Sequence, residues 1–443
     1  MQVNKYQLKR IRNILKKMEI NLYVNKDFMI IDASHIEKSI LNKAKELIYS
    51  LLNFYEKHYF ILIKGIPYCL ISEATDHVIY NKVKNGHYTR VKQCFFCKYS
   101  PRCPGIRRNL MHNFLSMPPL FDKPTDIAIE VNKNCNLGCE FCINNNYKKI
   151  GLKYDKIKKV LDEAKNLDIR YVRFTGGEPL LSSDIIKILK YAKSKNFYIF
   201  LNTNGTLLND YFIEELEKYV DNILISLCGY NFYIENEINF SGHLLINKFK
   251  NIVKLHRSKI PYIRIGTVIS KFLIDSFDKY SFLIKTLGIK IWELYRPMLP
   301  LSITQKFPNY NVSKNDLLKL LSFIYKLRKS AINVYFANAI PFCITNKSIY
   351  KPLMRGAQFD DGHSRLVFDS RGFFKPSYFI DVNLGNSIKK AWSNTFIKKI
   401  NSLEYLPSGC HRCPYIRWCL GGSRYMAKEN FGDYFACDPL MKN

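Results

Sequence analysis

The 443-residue chain has no run of eighteen or more apolar residues, and its longest candidate, Tyr59 to Ile71, is interrupted by Lys64. A spanning helix needs about 20 apolar residues, so no transmembrane helix is expected. The first residues also lack the apolar core and small-residue cleavage site of a secretory signal. Low-complexity tracts are absent. So is any D-x-H-x-x-G stretch or recognisable RNA-binding module. These absences predict a soluble, cytoplasmic protein with no membrane partner.

Acid is scarce: 37 Asp and Glu face 68 Lys and Arg, for a formal net charge of +31 spread along the whole chain. Such a field draws in anionic partners, of which an acidic peptide and an RNA both qualify. Solvated lysine faces of a Lys-rich composition are the plain alternative. The 13 cysteines are not dispersed like a secreted disulfide framework but bunched at short gaps, which points to metal sites in a reducing compartment. A chain of this length buries an ample core without metal staples, so the bunching calls for a functional reason.

The chain reads as three segments. Residues 1–123 form an α+β domain: an amphipathic helix in YQLKRIRNILKKM, with Leu8, Ile11, Ile14, Leu15 and Met18 at helical spacing, then a strand, a helix over Ser34 to Lys57, and a further strand. The proline-rich join MPPLFDKP closes it. In residues 124–297 short strand-like runs (DIAIEVN, YVRFT, YIFLN, NILISL, YIRIGTVI, IWELY) alternate with longer helical ones. Six βα units predict an α/β fold, a partial (β/α)6 TIM-type barrel whose site lies at the C-terminal ends of the strands. RPMLPL opens the last segment, 298–443, which ends rich in cysteine.

The chemistry concentrates after the first two strands of the middle segment. CNLGCEFC places Cys135, Cys139 and Cys142 in a C-x3-C-x2-C triad. Three thiolates are one short of a closed zinc or 4Fe-4S site, so one metal position stays open to a ligand. After the second strand comes TGGEP, in which Gly176 and Gly177 allow a close backbone approach and Glu178, followed by Pro179, offers a carboxylate to an ammonium group.

The two motifs together resemble the radical S-adenosylmethionine superfamily, whose C-x3-C-x-aromatic-C pattern is matched by Cys135, Cys139, Phe141 and Cys142. The resemblance implies a 4Fe-4S cluster that binds S-adenosylmethionine and, with one electron from an external flavodoxin or ferredoxin, cleaves it to a 5′-deoxyadenosyl radical. It also implies that Gly176, Gly177, Glu178 and Pro179 hold the methionine moiety, with Phe141 near the adenine and Ser226, in ISLCG, at the ribose. Where many relatives read S-L-D-G this chain has Cys228, and the arginine many carry about a dozen residues later is missing.

From Cys410 the sequence is similar to the SPASM (twitch-like) extension of peptide-modifying radical enzymes, with Cys410, Cys413, Cys419 and Cys437 matching one auxiliary 4Fe-4S cluster. The second auxiliary cluster of that pattern is expected to be lost, because its positions are filled by Ser423, Asp361 and Ser377. Asp360 and Asp361 fall near the catalytic aspartate of sulfatase-maturating relatives, although DDG is also a plain turn.

CFFCKYSPRCPG gives Cys94, Cys97 and Cys103 the same C-x2-C-x5-C spacing, and IPYC adds Cys69, as IPFC precedes the C-terminal set with Cys343. Four thiolates make a closed site, either a third 4Fe-4S cluster or zinc. The leading expectation is an oxidoreductase or maturase acting on a side chain of a peptide or small, acidic protein. A radical enzyme acting on tRNA or another RNA, and a non-catalytic iron-sulfur carrier, are the alternatives; a carrier has no use for the TGGEP pocket.

Overall fold

The computed structural model describes residues 5–24, 28–33, 41–55, 60–64, 88–89, 106–107, 123–142, 150–327, 332–411, 413 and 415–441. Two units divide the chain: Met1–Asp122 with Ser408–Arg417, and Lys123–Pro407 with Trp418–Asn443.

In the first unit β1 (Asn21–Val24) pairs antiparallel with β2 (Phe28–Asp32), and β2 pairs parallel with β3 (Phe60–Lys64). The parallel step is bridged by the helix Leu41–Tyr55. Met29, Ile31, Ile61 and Ile63, at alternate strand positions, are buried with Ala44, Ile48 and Leu15. The first helix, Lys5–Lys16, therefore turns Leu15 inward, while Ile14 stands exposed. A short pair, β4 (Tyr88–Thr89) and β5 (Ile106–Arg107), and the short helix Ser408–His411 are also described there. Cys69, Cys94, Cys97 and Cys103 lie outside the described residues.

The second unit is built on β6 (Asp126–Glu130), β7 (Tyr171–Thr175), β8 (Tyr198–Thr203), β9 (Asn222–Ser226), β10 (Tyr262–Val268) and β11 (Ile291–Tyr295), all parallel and paired in chain order. These are the six expected strands. The sheet does not stop with them. β12 (Asn333–Phe336) joins parallel to β11, β13 (Arg365–Phe368) joins parallel to β6, and β14 (Phe374–Lys375) closes that edge antiparallel. The segment from 298 onward thus supplies strands to both edges of the barrel sheet.

Strand alternation sorts side chains to two faces. Ile127, Ile129, Val172, Phe174, Ile199, Leu201, Ile223, Ile225, Trp292 and Leu294 are all buried, and this is the face the helices cover: Trp292 stacks on Phe277 at 5.5 Å, and Phe277 stacks in turn on Phe323. Helix Tyr154–Asn166 contributes Ile157, Val160, Leu161 and Ala164 at 3.6-residue spacing. Each Val, Leu, Ile or Phe among them stabilises by about 1.5–3 kcal/mol when fully buried, so this layer holds the barrel. The opposite face carries Asp126, Glu130, Arg173, Asn202, Arg264 and Glu293. Among the described residues no helix is long and apolar enough to cross a membrane.

Candidate active site

β6 ends at Glu130, and the chain runs through residues 131–142 across the C-terminal end of the sheet. It is fastened on both sides: Val131 N–H donates to Thr175 O (2.8 Å), and Lys133 N–H to Ile150 O (2.8 Å). Cys135 is exposed, and Cys139 and Cys142 are half-buried. The Cys142 N–H donates to Cys139 O (3.0 Å), which coils the end of the segment. Leu137 N–H and the Asn204 amide both donate toward Cys135 Sγ, at 3.4 and 3.8 Å. Asn204 also donates to Asn136 Oδ1 (2.9 Å) and so fixes the cysteine loop to the end of β8.

The Cys139 thiol is hydrogen-bonded to Cys228 and held well above its ordinary pKa, first by that bond, then by burial, with Cys142 and Cys135 pushing the same way. Burial also raises Cys135. Neutral thiols gathered this way become ligands when a cation takes their protons. Among the described residues no group of three or more His, Cys, Asp or Glu is drawn together closely enough for a single metal ion.

The glycine pair of TGGEP meets the cysteine loop itself. Gly177 N–H donates to Asn132 O (2.8 Å) and Glu178 N–H to Asn134 O (2.7 Å). A β-carbon on Gly176 would fall 2.2 Å from Asn132 O, and one on Gly177 2.1 Å from Asn134 O. Two chain segments therefore approach where only glycine fits, and Gly176 in addition has φ of +153°. Glu178 is fully buried. Its carboxylate accepts from Leu180 N–H (3.1 Å), Thr203 Oγ1 (2.8 Å) and Asn204 N–H (2.7 Å). Burial lifts its pKa to about 7 against those donors. The carboxylate expected to face an ammonium group is instead the brace that ties the end of β7 to the end of β8. Pro179, also buried, opens the short 3-10 turn Pro179–Leu181.

At the end of β9, Ser226 is half-buried and Cys228 buried. A network that no local sequence pattern announces fixes this turn. Lys248 and Glu235, both fully buried, pair at 2.6 Å. The second Glu235 oxygen accepts from Gly229 N–H, Lys248 also donates to Ser226 O (3.3 Å), and Tyr280 OH donates to Cys228 O (2.6 Å). Phe141 meets Tyr310 edge-on, with ring centroids 5.4 Å apart. Burial raises the Tyr310 hydroxyl well above its ordinary pKa, and Cys228, Glu140 and Cys139 nearby act in the same direction.

Residues 129–278, which span this loop, the glycine pair and the end of β9, match the family model of the Radical SAM superfamily. The chain belongs to the radical SAM superfamily. It is 25% identical over 347 residues to an AdoMet-dependent heme synthase of Methanosarcina barkeri, covering 73% of this chain and 97% of that one. It is 27% identical over 306 residues to a GTP 3′,8-cyclase of Clostridium botulinum, covering 63% and 89%. Among solved structures, Streptococcus suis SuiB bound to S-adenosylmethionine superposes with a TM-score of 0.58 at 18% identity, over 72% of this chain and 78% of that one. The enzyme anSMEcpe with bound AdoMet and the Cp18Cys peptide gives 0.54 at 18% identity, over 70% and 93%. These two share the fold.

In this radical SAM enzyme the polar face of the sheet is a linked set of buried charges. Arg365 is bonded to Asp126 (Nε to Oδ2, 2.8 Å), and Arg173 Nη1 donates to Asn202 (3.2 Å) and lies against Phe200. Arg264 pairs with Glu293, which also accepts from the Tyr295 and Tyr335 hydroxyls. Burial works to raise Glu293, but Arg264 and the two hydroxyls outweigh it and hold the carboxyl at about 2. Glu130 pairs with Lys375 at 3.3 Å.

The two candidate aspartates part company. Asp360, half-buried, accepts from Ala339 N–H (2.9 Å); burial raises it to about 6 against the nearby Arg365. Asp361 is buried at a φ of +58° and accepts from Arg424 N–H (2.7 Å). Burial and Asp360 raise it to about 7. The DDG stretch is a turn, and Asp361 is committed to holding it.

The positions where a second auxiliary set was expected to be missing have local tasks as well. Ser423 caps the helix Arg424–Phe431 by accepting from Met426 N–H, and Ser377 Oγ accepts from Phe379 and Ile380 N–H. Of the C-terminal cysteines, Cys410 and Cys413 fall in the first unit and Cys419 and Cys437 in the second. Cys419 is buried, and its Sγ accepts from Phe342 N–H at 3.4 Å.

Proposed function

We propose that the chain oxidatively modifies a side chain of a peptide or small protein by radical SAM chemistry. Cys135, Cys139 and Cys142 would hold the 4Fe-4S cluster. The residues fit that group: three thiols lie on one coiled loop, and beside them are buried polar atoms without protein partners, namely Asn132 Oδ1, Asn134 Oδ1 and the Tyr310 hydroxyl. When bound, the cluster and S-adenosylmethionine supply a 5′-deoxyadenosyl radical. The chain's own work is to bind and orient. The Gly176–Glu178 backbone, with Pro179 fixing its exit, borders the methionine moiety; Phe141 and Ser226 border the adenosine. Asp360, with its raised pKa, is suited to take the proton released as the substrate radical is oxidised.

The observation that carries the cofactor reading is the interlock of the cysteine loop with the glycine pair. The substrate reading is supported by the net charge of +31 and by solved structures of the same fold that hold peptides, SuiB with its precursor peptide SuiA among them. An auxiliary SPASM-like 4Fe-4S cluster on Cys410, Cys413, Cys419 and Cys437, and a further cluster on Cys69, Cys94, Cys97 and Cys103, belong to the same reading as electron acceptors or structural supports. A small anionic substrate is a second reading, favoured by Arg173 Nε and Arg264 Nη2, buried without protein partners on the polar face, and by the heme synthase and GTP cyclase relatives.

The test is anaerobic turnover with S-adenosylmethionine and a one-electron reductant, comparing acidic peptides, tRNA and anionic small molecules for their effect on 5′-deoxyadenosine formation. Stimulation with a mass change in the peptide supports the proposal. Stimulation by a nucleic acid or small anion alone overturns the substrate class.

A further inference from the structure

Tyr310 lies outside the six βα units, in the short 3-10 turn Pro308–Tyr310, yet it reaches the cysteine loop. The residue is 2% exposed, and its hydroxyl is buried with no hydrogen-bond partner. Its ring is pinned edge-on against Phe141, the residue beside Cys142, and the hydroxyl is within electrostatic reach of Cys139 and Cys228. Leaving such a group unpaired costs about 1–3 kcal/mol. A donor fixed in this way at the mouth of a thiol set therefore has its acceptor in whatever fills that set.

We propose that Tyr310 donates its hydroxyl proton in a hydrogen bond to a sulfur of the cluster held by Cys135, Cys139 and Cys142, and so raises the reduction potential of that cluster. The inference rests on the cofactor reading above. A sulfur acceptor is the choice because two of the three acidic side chains that act most on the hydroxyl, Cys228 and Cys139, are thiols, with Glu140 the third, and a hydrogen bond to sulfur favours the reduced, more negative core. Phe141 sets the geometry: its contact fixes the ring plane and with it the direction of the phenol oxygen. Tyr310 is thus a positioning and tuning residue contributed by the chain beyond the barrel.

The test is an EPR-monitored redox titration of the reconstituted full chain, following the signal that changes when S-adenosylmethionine is added. Tyr310→Phe keeps the ring and its Phe141 contact, so cluster assembly is expected to persist while the midpoint potential becomes more negative. Replacing Tyr310 by 3,5-difluorotyrosine, a stronger donor, is expected to move it the other way, and this arm decides the matter should the Phe variant fail to hold iron. A potential unmoved by either change overturns the proposal. So does an unmoved potential with weaker S-adenosylmethionine binding, which would put the hydroxyl on the cofactor. A wild-type chain with no cofactor-responsive signal would instead defeat the cofactor reading itself.

Discussion

Lys248 and Glu235, 2.6 Å apart and both fully buried, hold the turn that presents Ser226 and Cys228 at the end of β9. The ammonium reaches Ser226 O and the carboxylate takes Gly229 N–H. Removing one member leaves an uncompensated buried charge, which costs about 3–5 kcal/mol. Lys248→Met should therefore destabilise the apo chain by that amount in urea unfolding. The double variant Lys248→Met, Glu235→Leu should recover a substantial part of the loss. Equal loss in single and double variants would mean the pair acts through packing alone.

Gly177→Ala tests the interlock of the two motifs. Its β-carbon would lie 2.1 Å from Asn134 O, a backbone atom that cannot move without shifting the cysteine loop. Gly138→Ala is the control, since its β-carbon would meet nothing nearer than Phe240 at 3.6 Å. The expected result is loss of about four irons per chain for Gly177→Ala and no loss for Gly138→Ala, by iron and sulfide analysis. Full iron content in both would detach the glycine pair from the cluster loop.

Glu293 gives the barrel interior a pH signature. Its folded pKa, about 2, is below the ordinary value of 4.5, so its stabilisation is complete above about 4.5 and lost as pH falls through about 2. For a fully buried group that amounts to on the order of 3 kcal/mol. The difference in urea midpoint between wild type and Glu293→Gln should be constant above pH 4.5 and shrink below it. A difference independent of pH down to 2 would contradict the pairing with Arg264.

The two neighbouring aspartates should separate by phenotype. Asp360→Asn is expected to lower turnover by about 10²-fold while leaving the unfolding midpoint nearly unchanged, as for a proton acceptor. Asp361→Ala leaves Arg424 N–H without its buried acceptor and should cost about 1–3 kcal/mol of stability with little effect on turnover of the folded fraction. The reverse assignment in paired kinetic and denaturation measurements would move the catalytic role to Asp361.

Much of this architecture was legible along the chain. The alternation of DIAIEVN, YVRFT and their successors with amphipathic runs marked six strands, and CNLGCEFC with TGGEP marked the end of the sheet that carries the chemistry, because both signals are local. What escaped depends on partners far apart in sequence. RLVFDSRGFFKP reads as short strands, but nothing local says that β13 joins the barrel sheet, because it pairs with β6 across 239 positions between Arg365 and Asp126. Lys248 and Glu235 stand 13 positions apart in two helices, and nothing local marks them as a pair. The flexibility of the glycine pair is legible in TGGEP, but the neighbour that requires it is the Asn132–Asn134 backbone. Tyr310 carried no signal of its own, since one aromatic among 30 tyrosines and 30 phenylalanines marks nothing until its hydroxyl is found buried beside the thiols.

The most direct measurement is the yield of 5′-deoxyadenosine from the anaerobically reconstituted chain given S-adenosylmethionine and a strong one-electron reductant, run beside Cys139→Ser. The account predicts product from the wild type and at least a 10²-fold lower yield from the variant. Equal yields from the two, or none from an iron-replete wild type, would contradict it.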